Sequence, residues 1–204
     1  MANGEPDTLI MWKRIIDVAL SLAALFVLAP VFFVVAMAIL MESGSPVIFR
    51  QQRIGKAERT FPMLKFRSML VGAEKIGPYF TVPDDQRITR VGKFIRRTSL
   101  DELPQFLNVL LGNMSVVGPR PHPLWLNDKY RDNIEKYMVR HFIKPGITGL
   151  AQVKGFRGET TDPAMMESRI KMDVFYLENW SFLLDIKIIF STVFNVLKGD
   201  KNAF

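Results

Sequence analysis

Two adjacent carboxylates, Asp101 and Glu102, follow an arginine pair, Arg96 and Arg97, and precede a rigid Gly118-Pro119-Arg120-Pro121 turn. Carboxylates set among fixed cations are what a site needs if it must hold a phosphate and either attack it or bind Mg²⁺ beside it. Arg96 and Arg120 suit the phosphate itself, because a guanidinium fork matches phosphate oxygens two at a time. A purely structural account of the same residues exists. Ser99-Leu100-Asp101-Glu102 has the form of a capping box, with Ser99 as N-cap and Glu102 three positions on. Both accounts start from a helix N-terminus, which attracts anions in its own right. A capping box alone leaves the three arginines and the Pro-Arg-Pro turn without a purpose.

Other residues are candidates for the same pocket. Lys65 and Arg67 alternate on a strand-like segment and so share a face, directed either into the site or toward lipid phosphates. Pro145-Gly146-Ile147-Thr148-Gly149 is a turn whose glycines allow backbone to approach a ligand closely, or serve the turn alone. Arg157 and Asp173 are further candidates. Asp84 and Asp85 lie in a breaker-rich stretch, and a solvated loop explains them better than a metal site does.

The elements that must position these groups follow from periodicity and turn chemistry. Val47 to Phe49 and Phe61 to Phe66 read as short strands, with Arg50 to Arg59 a basic loop between them. Gln105 to Leu111 reads as a helix ended by Gly112-Asn113. Leu126 to Phe142 and Ala164 to Leu177 read as amphipathic helices. Ile186, Ile189, Phe190, Val193, Phe194 and Leu197 recur at helical spacing on a wide apolar face. That face packs into the core or lies on a bilayer surface.

The 204-residue chain carries a formal charge of +7 and no cysteine, and its histidines are His122 and His141. An anionic partner is implied, while disulfides, thiolate zinc and thiol nucleophiles are excluded. Any metal must sit on oxygen ligands, favouring Mg²⁺ or Mn²⁺. Val18 to Met41 is almost unbroken apolar sequence with Pro30 in its middle. It exceeds the roughly 7–15 residues of a signal-peptide core. Lys13 and Arg14 precede it, and Arg50, Arg53 and Lys56 follow. Basic flanks on both sides place both on the cytoplasmic face. A helix that breaks at Pro30 and returns satisfies this; a straight span of about 20 residues satisfies length alone. The apolar run also argues against nucleic acid as the anionic partner.

These blocks together resemble one family, the bacterial sugar transferases, monotopic phosphoglycosyl transferases that load polyprenyl phosphate. The likeness runs from Trp12 to Gly199. It rests on Lys13-Arg14-Ile15-Ile16-Asp17 before the proline-broken run, on Lys65-Phe66-Arg67-Ser68-Met69, and on the Ser99 to Gln105 block. Gly112 to Pro121 and Pro145 to Val153 follow in family order. Ala29, before Pro30, departs from the serine that related sequences often carry.

The resemblance implies a two-step transfer. Asp101 attacks the β-phosphate of a UDP-sugar, releases UMP and passes the phosphosugar to undecaprenyl phosphate. Glu102 acts as base or orienting group, Arg96 and Arg120 hold phosphates, and Mg²⁺ (or Mn²⁺) sits at Asp101. It further implies the cytoplasmic face of the bacterial inner membrane, contact with membrane lipids and downstream glycosyltransferases, and leaves a homo-oligomer open. Tyr137 to His141 and Gly155 to Thr160 look like the glucose or galactose branch, glucose favoured, in exopolysaccharide assembly. A membrane-anchored inactive scaffold of the same fold is the alternative. The expected architecture is α/β and mainly helical. It has a disordered N-terminus (1–11), a re-entrant membrane helix broken at Pro30 (12–42) and a small cytoplasmic catalytic domain (43–204). With no extra N-terminal spans, the chain resembles the family's minimal catalytic unit.

Overall fold

The computed structural model describes residues 7–76, 82, 85–156 and 162–198. Its first element is a bent pair: α1 (Asp7–Val27) and α2 (Ala29–Ser43) meet at Leu28 at 61°. Pro30 stands in the first turn of α2, where an amide has no helical partner to lose. A continuous helix would need a proton from the Pro30 nitrogen to reach the carbonyl of Phe26, and proline has none. Among the described residues no single helix is long and apolar enough to cross a membrane, while the bent pair together passes that test. Residues 7–11, expected to be disordered, are the opening turns of α1.

The polar residues of α1 correct a second expectation. Lys13 and Arg14, expected as free basic flanks of the apolar run, face protein instead. Lys13 Nζ meets Asp185 Oδ2 at 2.5 Å, with both side chains about nine-tenths buried. Asp185 also accepts from the Tyr176 hydroxyl (2.7 Å) and the Trp180 indole (3.2 Å). Arg14 donates to the carbonyls of Val109 (2.6 Å) and Leu110 (3.0 Å). Asp17 accepts the Val116 amide at 2.9 Å, so its charge is spent inside the protein and not in lipid.

After α2 the chain enters an antiparallel hairpin, β1 (Ile48–Ile54) and β2 (Thr60–Phe66), in register from Ile48 opposite Phe66 to Ile54 opposite Thr60. The basic loop therefore shrinks to 55–59, because Arg50 to Ile54 continue the strand. A short α3 (Ala73–Ile76) leads to α4 (Arg90–Arg97), whose first turn is capped by Thr89 Oγ1 on the Gly92 amide. Glu42, at the end of α2, accepts the Arg90 and Val91 amides at 2.8 and 2.9 Å. The broken helix thus grips the helix that carries Arg96.

Next come α5 (Gln105–Leu110) and β3 (Ser115–Val117). The long helix expected over 126–142 is two pieces: α6 (Leu124–Tyr130) and a 3₁₀ stretch from Tyr137 to Phe142. Lys136, left-handed at φ 61°, interrupts the path between them. β4 (Gly146–Thr148) pairs in parallel with β3. A Cβ at Gly146 would lie 2.1 Å from the Gly118 nitrogen, and one at Gly149 would lie 2.2 Å from its oxygen. The glycines of that turn are therefore needed for backbone packing, the structural alternative of the two open in the sequence.

The chain ends in α7 (Leu150–Val153), α8 (Pro163–Glu178, capped by Asp162) and α9 (Phe182–Lys198). The main core joins Phe61 and Met63 of β2 to Val109, Met114, Val117, Tyr176, Leu177 and Ile188. Ile188 packs inward from α9, while Leu183, Ile186, Phe190, Val193 and Phe194 remain exposed on its outer side. Mixed α/β, mainly helical, is the observed class.

Replacing Lys13 by Met makes α1 more apolar and leaves Asp185 buried without its cation. Breaking one side of a buried pair costs about 3–5 kcal/mol. A marked drop in melting temperature of the detergent-solubilised protein is expected; an unchanged or raised one would return Lys13 to the lipid surface.

Candidate active site

Chain reversal at Ser99 builds the site. α4 ends with Thr98, and Ser99 adopts φ 59°, a left-handed conformation, before a 3₁₀ turn from Leu100 to Glu102. Its hydroxyl caps nothing, so the capping box legible in the sequence does not form. Leu100 and Leu103 instead pack beside Val35, Ile39, Phe66 and Ile95. That anchorage turns Asp101 and Glu102 toward β2. Asn108 of α5 then fixes the distance: its side chain accepts the Leu64 amide (2.8 Å) and donates to the Pro62 carbonyl (2.9 Å). It serves as a strand partner along β2, the strand that carries Lys65.

The two carboxylates, each 8% exposed, are in different chemical states of satisfaction. Glu102 Oε1 accepts from Lys65 Nζ at 2.9 Å and from Arg120 Nη2 at 2.5 Å, and Oε2 accepts from Arg120 Nη1 at 3.2 Å. This is the fork pairing in which arginine binds a carboxylate most firmly. Asp101 has only Lys65 at 3.8 Å, beyond hydrogen-bond range, and no hydrogen bond from any described residue. Burial raises the Asp101 carboxyl above its ordinary range, Lys65 opposes that rise, and Glu102 adds to it. Burial lowers the Lys65 ammonium, against the pull of Glu102 and Asp101. Arg120 ends above its ordinary value, since the Glu102 charge and hydrogen bonds outweigh burial. Arg96, half-buried, is lowered chiefly by burial and is near enough to Asp101 to be supported by it.

Arg120 is held by its backbone. Its carbonyl accepts from Arg140 Nη2 at 2.6 Å, and that of Pro121 accepts from Arg53 Nη1 at 3.2 Å. Behind it Arg140 pairs with Asp173 at 3.0 Å in full burial and contacts His122, which meets the Tyr137 hydroxyl at 2.6 Å. Burial and the Arg140 charge hold His122 well below its ordinary pKa.

Of the residues singled out in the sequence, Lys65, Arg96, Asp101, Glu102 and Arg120 converge. Arg67 does not: it donates to the carbonyls of Ser43 (3.0 Å) and Gly44 (2.5 Å) and holds the end of α2. It follows the last residue of β2, so strand alternation no longer ties it to Lys65. Asp173 lies one layer behind the pocket, paired with Arg140. Asp85 is paired with Arg87 at 2.6 Å. Arg157 and Asp84 lie outside the described residues. Arg53 and Arg140 were missed as positioning groups; only the hairpin register and the 3₁₀ turn bring them to the Pro-Arg-Pro segment.

No cluster of three or more His, Asp or Glu side chains able to hold a metal occurs among the described residues. Glu102 is occupied by its cations. Asp101, with open oxygen lone pairs, fits a Mg²⁺ ion of the kind that takes one carboxylate and completes its shell with substrate phosphates and water.

The structure thus joins a bent apolar helix pair to a domain that holds a buried carboxylate pair among cations. The bacterial sugar transferase profile matches residues 8–199, and the chain belongs to that family. It is 50% identical over 184 residues to the UDP-glucose:undecaprenyl-phosphate glucose-1-phosphate transferase of Klebsiella pneumoniae, across 90% of this chain and 40% of that protein. It is 46% identical to the exopolysaccharide production protein PSS of Rhizobium leguminosarum bv. phaseoli, covering 93% of this chain and 96% of that one. A UDP-N-acetylgalactosamine-undecaprenyl-phosphate N-acetylgalactosaminephosphotransferase of Aeromonas hydrophila is 42% identical, over 92% and 44%. The chain thus spans about two fifths of the glucose-1-phosphate transferase it matches at 50% identity.

Since Ser99 caps nothing, Ser99→Ala should change stability by less than about 0.5 kcal/mol, against about 1 kcal/mol for a lost N-cap. Glu102→Gln takes the counter-charge from two half-buried cations and should cost about 3–5 kcal/mol. Denaturant titration of both variants checks this; the reverse order would restore the capping box.

Proposed function

We propose that the chain transfers hexose 1-phosphate from a UDP-sugar to undecaprenyl phosphate and releases UMP, as a priming step of exopolysaccharide or related glycan assembly. Glucose is the favoured sugar and galactose the second. The observation that carries this reading is the unequal state of the carboxylates: Glu102 is saturated by Lys65 and Arg120, while Asp101 keeps its oxygens open. Asp101 Oδ attacks the β-phosphorus of the donor. The bond from that phosphorus to the bridging oxygen breaks, and the electron pair leaves with UMP. The resulting acyl phosphate is reactive enough to be passed on. A phosphate oxygen of the polyprenyl acceptor then attacks the same phosphorus, and the Asp101 carboxylate departs. Glu102 serves as the orienting group, fixing Lys65 and Arg120 where phosphate oxygens must lie. Arg96 supplies a further cation. Asp101 would hold Mg²⁺ or Mn²⁺ together with donor phosphates, and a bound ion would supply charge neutralisation there.

The bent α1–α2 pair supports a re-entrant insertion with both ends on the cytoplasmic face of the bacterial inner membrane. Its outer residues, Phe26, Val27, Phe33 and Met41 among them, are exposed and apolar. Handing on a lipid-linked sugar fits downstream glycosyltransferases as partners.

Purified protein, Mg²⁺, undecaprenyl phosphate and a panel of UDP-sugars should release UMP with UDP-glucose, and Asp101→Asn should abolish that release. An active Asp101→Asn would end the mechanism, and silence with every sugar would favour the scaffold. Because the folded Asp101 carboxyl is raised, ionisation is lost as pH falls through a value above the ordinary 3.8. In the metal-free protein the Asp101 carboxyl should therefore titrate above that value, read from its carboxyl NMR shift, and Arg96→Gln, removing a cation that favours the carboxylate, should raise it further. For topology, single cysteines at Asn3 and Glu58 should both react with a cytoplasmic-side reagent. Labelling from opposite sides would establish a span.

A further inference from the structure

The cations around Glu102 account for the phosphates of a donor and leave its base without a place. A cavity of about 150 Å³ adjoins Glu102, bounded by α5, β4, α7 and α9. That volume lies below the roughly 300–1,000 Å³ of a site for a drug-sized ligand, so it holds one ring of a nucleotide sugar and not the whole. Its walls combine the apolar Phe106, Ile147 and Val153 with the amides of Gln152 and Asn195. Resting on the functional reading above, we propose that this cavity is the uracil subsite, with Gln152 Oε1 accepting the N3–H of the base.

Gln152 is 9% exposed, and its amide is oriented by a bond from Nε2 to the Ile147 carbonyl at 3.1 Å. Its oxygen is left buried with no hydrogen-bond partner among the described residues. Gln152 lines the cavity, and a small adjustment of its side chain brings this unpaired acceptor to whatever fills it. Uracil presents a single ring N–H between two carbonyls. Asn195 spends one amide proton on the Val153 carbonyl at 3.4 Å, which leaves the other for a base carbonyl. An isoprenoid chain has no donor for Gln152. Cytosine places a bare nitrogen at the same ring position and sets two lone pairs against each other. The Thr148 and Thr192 hydroxyls, 2.6 Å apart, use their protons on each other and on the Ile188 carbonyl, so the donor must come from the ligand.

Binding of UMP, N3-methyl-UMP and CMP to the detergent-solubilised full chain, by calorimetry, tests the assignment without turnover. The wild type should bind UMP at least about tenfold more tightly than either analogue, since each removes the one donor the site requires. Gln152→Leu should lose that preference, raise KM for UDP-glucose and leave KM for undecaprenyl phosphate unchanged. Equal wild-type binding of UMP and N3-methyl-UMP overturns the proposal even if the variant misfolds. A Gln152→Leu effect confined to the KM for undecaprenyl phosphate also overturns it and gives the cavity to the lipid. UMP release is scored separately, so turnover with no base preference sinks this subsite alone, and no release with any UDP-sugar sinks the functional reading.

Discussion

The fork between Arg120 and Glu102 is the contact on which the site depends. It ties the turn after α4 to the Pro-Arg-Pro segment, and Lys65 joins it from β2, so three separate stretches of chain meet at one carboxylate. A buried carboxylate keeps its charge at least cost when it is paired and hydrogen-bonded, and Glu102 has both. Once Glu102 has absorbed the nearest cations, its neighbour is left with charge to give. The division of labour between two adjacent acids thus follows from which of them the arginine reaches.

Holding that arginine in place occupies much of the domain. Arg140, Asp173, His122 and Tyr137 form a buried polar layer that grips the Arg120 backbone. Burial keeps His122 neutral, so it adds no charge beside the guanidinium groups. Gly118, Gly146 and Gly149 bring two backbones so close that no side chain fits between them. The Asn108 bridge sets the α5–β2 spacing from the other side. Each device trades conformational freedom for donors that are fixed before any ligand arrives.

The broken N-terminal helix is joined to this machinery and not merely attached to it. Lys13, Arg14 and Asp17 point inward to α9, α5 and β3, while Glu42 and Ser43 at the far end meet α4 and Arg67. Apolar side chains are left on the outside. One helix pair is therefore both part of the protein core and the bearer of an exposed apolar face.

Sequence by itself determined the broken helix, strand segments of β1 and β2, the helices α5, α8 and α9, and the grouping of Asp101, Glu102, Arg96 and Arg120. Those signals are local or chemically unusual: a proline in an apolar run, and acids crowded among arginines. Tertiary structure alone decided that Glu102 is saturated and Asp101 open, that Ser99 turns the chain and caps nothing, and that Arg67 serves α2. It also turned Lys13 and Asp17 inward and split the helix expected over 126–142. Those outcomes depend on which distant partner a buried charge finds. Desolvation makes that partner decisive, and no spacing along the chain encodes its distance.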